Sequence, residues 1–231
     1  MLSSTINLYR NAYAGINRRM WLLAVVMLIN RSGTMVLPFM TLYCKHIGYT
    51  TGQAGIVVAV YGIGSLVGAF LGGKITDRFG FYYTQFFALC CGGILFITLG
   101  MMNTFLSICI CTFFLSMVNE SFRPANATAI AHYSTAENRT QAFSIVRLAI
   151  NLGGALGGLL ASVNYHLLFW VDGFTNITAS FLLLWLLPKV SLAQQKNITA
   201  KATVKAKPAW ADKIFMYFIG LQILFSICFF Q

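Results

Sequence analysis

Six stretches of about 20 residues, each dominated by apolar side chains, follow one another along this 231-residue chain: 20–43, 53–74, 82–102, 105–130, 141–163 and 165–187. A seventh begins near Lys213 and continues to Gln231. About 20 apolar residues is the length at which a helix rising 1.5 Å per residue crosses the hydrocarbon core of a bilayer. Inside that core no water satisfies backbone N–H and C=O groups, which leaves helices and closed barrels as the possible spanning structures. The runs show no alternation of apolar and polar residues of the kind a barrel strand requires. The expected fold class is therefore all-α and integral to a membrane.

Composition agrees. The chain is 58% apolar and 9% charged, where an ordinary soluble domain carries about a quarter charged residues. Its 16 Lys and Arg and 5 Asp and Glu cannot coat a soluble surface, so the apolar surface is expected to face lipid, the first partner of this chain. A net charge of +11 suggests nucleic acid only where the basic residues form an exposed patch, and here they lie between the apolar runs. Arg10, Arg18 and Arg19 precede the first run; Lys74, Arg78 and Arg139 lie in alternate links; six lysines occupy Lys189 to Lys213; Lys45 stands alone in the other links. This asymmetry obeys the positive-inside rule and predicts a multi-pass protein of the cell inner membrane with a cytoplasmic amino terminus. The first run is too long for a cleavable signal peptide and lacks a cleavage pattern.

The organisation that follows is a cytoplasmic segment over 1–19, six transmembrane helices over 20–187, a cytoplasmic linker over 188–212 rich in Lys, Ala, Gln and Thr, and the start of a seventh helix over 213–231. The linker reads as a solvated basic connector, with the alternative that its lysines rest on anionic headgroups at roughly 1 kcal/mol each. A three-plus-three repeat runs through the six spans. The first carries Asn30, Arg31 and then Pro38; its counterpart, the fourth, carries Glu120, Arg123 and then Pro124. The second carries Gly64, Gly68 and Gly72; its counterpart, the fifth, carries Gly153 and Gly157 with Gly154 and Gly158 beside them. Small residues at every fourth position let helices approach closely, so both stripes are expected at helix-packing surfaces. Matching Pro-interrupted segments in two repeats point to a transporter's binding site.

A charge at mid-membrane costs about 2.5–3.5 kcal/mol even on lenient insertion scales, so Arg31 is expected to face a cavity or a partner. It serves either as an anion-binding or proton-coupling group or as an ion-pair partner of Glu120 that holds two helices together. Glu120 and Arg123 share one helix face and are placed to neutralise each other. With Asp172 they complete the set of substrate- and proton-binding candidates: Asn30, Arg31, Glu120, Arg123 and Asp172. Unless Asp172 joins them, the arginines leave an excess of positive charge that favours an anionic or zwitterionic small-molecule substrate. Arg147, near the inner end of the fifth span, is placed to snorkel or to clamp an inner gate. The six cysteines and three histidines show no metal-site spacing, and no catalytic triad or cofactor motif appears, so neither an enzyme nor a cofactor is expected.

The link between the second and third runs reads Gly73-Lys74-Ile75-Thr76-Asp77-Arg78-Phe79-Gly80. It resembles the major facilitator loop signature Gly-x-x-x-Asp-Arg-x-Gly, between the expected helices and on the expected side. The resemblance implies a six-helix amino-terminal domain of a major facilitator fold, in which Asp77 and Arg78 latch an inner gate. Gly73 and Gly80 would allow close packing and a tight turn there, and Glu137 in the next inner loop would be placed to pair with Arg78. Where that family continues with two basic residues, Phe81 and Tyr82 stand here. The stretch Asn151 to Gly158 resembles the glycine-rich fifth-helix motif of drug/proton antiporters, which also carry an arginine in the fourth helix, matched by Arg123.

These resemblances imply transmembrane transport by alternating access, secondary and proton-coupled, with a small molecule taken up or expelled. The family fold needs twelve helices in two halves with substrate between them. The chain then corresponds to the amino-terminal half, as a fragment, a truncated product or one chain of a split carrier. Efficient transport is expected only with the missing carboxy-terminal half or a partner chain. A non-transporting membrane scaffold that assembles with such a partner is the alternative.

Overall fold

The computed structural model describes residue 13 and residues 15–33, 36–160, 165–190 and 212–229. The amino-terminal segment and the basic linker expected over 1–19 and 188–212 lie largely outside the described residues, as does the side-chain setting of Gly157. Every described element is helical: α1 (Arg18–Ser32), α2 (Val36–His46), α3 (Thr51–Phe79), α4 (Phe81–Gly100), α5 (Phe105–Tyr133), α6 (Arg139–Leu160), α7 (Tyr165–Leu186) and α8 (Lys213–Phe229). Five helical stretches among the described residues are long and apolar enough to cross a bilayer, the first being the α1–α2 pair taken together. The expected fifth span is α6, and the expected seventh is α8, which belongs to a separate unit beginning at Ala193. Leu66, Phe70, Leu106, Phe181 and Trp185 are among many large apolar side chains on the outside of the bundle, the arrangement of a multi-pass membrane protein.

Helix boundaries follow local chemistry. The Thr50 hydroxyl accepts from Gln53 N while the Gln53 side chain accepts from Thr50 N, a reciprocal cap that starts α3. Thr104 caps α5 in the same sense through Ser107 N. Between α3 and α4 stands the single residue Gly80, with φ 89° and ψ 155°. That backbone region is essentially closed to side chains, so the last glycine of the loop signature is required by the turn itself.

The first expected span is broken. α1 ends at Ser32, with Gly33 as its cap, and α2 begins at Val36. Pro38 is the third residue of α2, near its described amino end, where proline is best tolerated. A Cβ at Gly33 would lie 3.0 Å from the Val171 carbonyl oxygen and collide with Thr175, so the elbow is seated directly on α7. In the fourth span Pro124 leaves α5 continuous but removes the N–H that would bond the Glu120 carbonyl.

Three helix pairs carry most of the packing in unit 1: α3 on α5, α1 on α6, and α4 on α7. In span numbers these are 2 with 4, 5 with 1, and 3 with 6. A twofold that exchanges spans 1–3 with 4–6 turns the first pair into the second and the third into itself, which is the three-plus-three repeat in three dimensions. Each pair is joined through glycine. Along α3, Gly64, Gly68 and Gly72 lie against the backbone of Phe113, Met117 and Ser121 on α5. On α6, a Cβ at Gly153 would come within 2.8 Å of Leu28 O and Arg31 Cβ on α1. On the axis, a Cβ at Gly93 of α4 would lie 2.7 Å from the carbonyl of Gly173 on α7. Without water to drive apolar helices together, such close backbone approach and its dispersion contacts are the main source of association.

Candidate functional site

A small recess of about 60 Å³ opens among the spans, lined by Arg31, Tyr61, Asn119, Glu120, Arg123 and Asp172 with apolar residues of α2, α4 and α5. Four of the five expected binding residues thus meet, drawn from α1, α5 and α7. Their common depth follows from the helices. Arg31 stands about 20 Å along the axis from the start of α1, and Glu120 is about 20 Å from the end of α5. Asp172 stands about 20 Å from the end of α7, at the same level.

The charges are not all paired. Arg123 Nε lies 2.7 Å from Glu120 Oε2, one turn apart on α5. Glu120 is largely enclosed while the Arg123 side chain is 68% exposed, so the pair joins the recess to the open face of the bundle. Among the described residues Glu120 makes no ion pair with Arg31, and Arg31 Nε is buried without a hydrogen-bond partner. The interhelical Arg31–Glu120 pair considered from sequence is therefore not formed. Asp172 is wholly buried and accepts a 2.8 Å hydrogen bond at Oδ2 from Val36 N, the first residue of α2. Asn30 lies one helical step away: its Nδ2 donates to Asn176 Oδ1 at 2.8 Å, and Asn176 Nδ2 donates to the Asp172 carbonyl at 2.8 Å. Asn30 thus ties α1 to α7 beside the recess rather than lining it. With Asp172 present, the recess holds two arginines and two carboxylates, which removes the excess of positive charge foreseen without it.

The candidate gating residues lie at the other end of α3. Asp77 and Arg78 are exposed in its last turn, and the Arg78 guanidinium sits 5.5 Å from the Phe79 ring centre. Glu137 is exposed in the α5–α6 link, and no ion pair joins it to Arg78 among the described residues. Gly73 faces open space where a Cβ would meet nothing, so the close packing expected of it is made instead by its neighbour Gly72. Arg147 is exposed on α6. Asp77, Arg78, Glu137 and Arg147 are thus each exposed.

Sequence reading missed three things. Tyr61 and Asn119 line the recess, and their polarity on otherwise apolar spans was the available signal. Gly93, next to Gly92 in α4, and Gly173, the one glycine of α7, lack the fourfold spacing that marks a stripe. A larger groove of about 520 Å³, lined by Ile75, Phe79, Tyr83, Phe87, Cys91 and others, is apolar and contains no Asp, Glu, Lys or Arg, so it is a less apt site for charged chemistry.

The sequence profile of the Major Facilitator Superfamily matches residues 20–231. The chain is similar to the quinolone resistance protein NorA of Staphylococcus aureus, strains MRSA252, Mu50 and N315, with 24% identity over 188 residues in each case. The match covers 78% of this chain and 46% of each relative, so the chain spans about half the length of the curated relatives it matches. With the profile matched over nearly all its residues and the six spans paired as a three-plus-three repeat, the chain belongs to the Major Facilitator Superfamily.

Proposed function

We propose that these six spans form one wall of a proton-coupled secondary transporter, with the recess at Arg31, Glu120, Arg123 and Asp172 as its coupling and binding centre. The observation that carries this reading is the meeting of four ionisable residues from three non-consecutive helices at one depth of an apolar bundle. Charges so placed are costly and are retained where a substrate or proton path needs them. The recess itself has room for water and protons. Cargo would meet it from the open face, where Arg123 is exposed, and a second six-helix half would supply the opposite wall.

The Arg31 Nε, buried without a hydrogen-bond partner, favours a cargo with an acidic group, and the balanced charge of the recess favours one that also carries a positive charge. A zwitterion fits both. Similarity to a quinolone resistance protein makes a quinolone the natural first probe and efflux by antiport the natural direction. Asp77, Arg78 and Gly80 would then form the inner gate against the second half, with Glu137 and Arg147 on the same charged end.

The test is uptake of a fluorescent quinolone into inverted proteoliposomes holding the chain together with a second six-helix half, driven by an imposed proton gradient. Gradient-dependent uptake that is lost in Arg31→Ala and in Glu120→Gln supports the reading. Uptake unchanged in both variants removes the recess from the mechanism.

A further inference from the structure

The break in the first span is held from across the bundle by a single ionisable side chain. Asp172 Oδ2 accepts from Val36 N at 2.8 Å, at the end of α2 where helix N–H groups lack helical partners and the dipole is positive. The elbow is seated on the same helix: Gly33 has no room for a side chain against Val171 and Thr175, one position before and three after Asp172. One turn further along α7, Asn176 binds both Asn30 of α1 and the Asp172 carbonyl. Asp172 thus sits between the last turn of α1 and the first turn of α2 while also lining the recess. The α2 residues Val36, Leu37 and Met40 line that recess too, so any movement of α2 changes the shape of its wall.

We propose that Asp172 is a proton-binding residue that acts as a latch on the elbow: ionised, it anchors the amino end of α2, and protonated, it releases it. The chemistry is one proton taken from water in the recess onto a carboxylate oxygen. The carboxylate is an acceptor only; the acid is a weaker acceptor with an O–H of its own to place, so the bond to Val36 N loses its charge assistance. The latched form binds one proton fewer than the released form, so lowering the pH drives release. The other groups in the recess are Arg31 from α1, Glu120 with Arg123 from α5, and the phenol of Tyr61 from α3; α4 contributes Phe96 and α2 only apolar side chains. This deepens the transport reading by giving proton binding a mechanical consequence, and it rests on that reading for its purpose but not for its test.

The test is hydrogen exchange at the Val36 amide of the chain in lipid nanodiscs, expressed as protection relative to the intrinsic chemical rate and followed from neutral to acid pH. Wild type is expected to lose about tenfold in protection, the scale of one charge-assisted hydrogen bond. Asp172→Asn, which keeps an oxygen acceptor but cannot titrate, is expected to show protection independent of pH. Asp172→Ala is expected to be unprotected at every pH. Protection that stays constant in wild type, or that falls equally in Asp172→Asn, overturns the proposal, and either result can be read even if Asp172→Ala does not fold. A latch that titrates in a protein without gradient-driven flux upholds this inference and counts against the transport reading alone.

Discussion

Gly153 of α6 lies directly against the backbone of Arg31 on α1, so closely that a Cβ there would stand 2.8 Å from Arg31 Cβ. The contact joins two features that look independent in the sequence, a glycine stripe and a lone buried cation. The absence of a side chain at Gly153 lets α1 approach α6, and that approach sets the depth and direction from which Arg31 enters the recess.

Gly153→Ala therefore forces α1 outward or off its rotamers, at about 1–3 kcal/mol for an overpacked contact. Gly154→Ala, one residue on and facing open space, is expected to be neutral or to stabilise by up to about 1 kcal/mol through helix propensity. Thermal unfolding in detergent, measured on the matched pair, checks both the contact and its direction.

The signature loop yields a second matched pair. Gly80→Ala places a side chain at φ 89° and is expected to cost about 1–3 kcal/mol and to loosen the α3–α4 turn. Gly73→Ala meets no described atom and, like Gly154→Ala, is expected to be neutral or to raise the melting temperature slightly through helix propensity. If Gly73→Ala lowers activity while stability is kept, its open face is a contact surface for the second half.

Asn30 and Asn176 form a buried cross-helix bond, so their removal should be coupled. A double-mutant cycle with Asn30→Leu and Asn176→Leu is expected to give about 0.5–1.5 kcal/mol of interaction energy. Additive effects would mean that the 2.8 Å contact contributes shape but no net stability.

Much of the fold was legible because lipid leaves a chain few options. Runs of some 20 apolar residues had to be helices, and the stripes at Gly64, Gly68, Gly72 and Gly153 were marked as contacts, since close backbone packing is a main source of helix association in lipid. The polar run Asn30-Arg31-Ser32-Gly33 and Pro38 marked the first span as interrupted, but not that α1 ends at Gly33 against α7, which depends on a contact between distant helices. The partners of Asp172 were not legible either: its bond to Val36 depends on spans 1 and 6 lying side by side, which periodicity within either span does not reveal. Arg31, Glu120 and Arg123 could be picked out by the cost of their burial. The Glu120–Arg123 pair could be read from their spacing on one helix face; that Arg31, which lines the same recess, stays outside that pair could not, because it depends on how α1 lies against α5.

Arg31→Lys separates charge from geometry. Lysine keeps the positive charge but not the planar fork, so a cargo held by paired hydrogen bonds is expected to lose affinity by roughly tenfold, while one held by charge alone should be little affected. Fluorescence-quenching titration of a zwitterionic probe against wild type and Arg31→Lys distinguishes them.

The most direct measurement of the central claim is gradient-driven proton flux, followed with an internal pH dye, in proteoliposomes holding this chain with its second half. The comparison is between wild type and Glu120→Gln, with Gly154→Ala as the control outside the recess. The account expects cargo-dependent proton movement in wild type and the control, and its abolition in Glu120→Gln with the protein still folded. Equal flux in all three would contradict a coupling role for the recess.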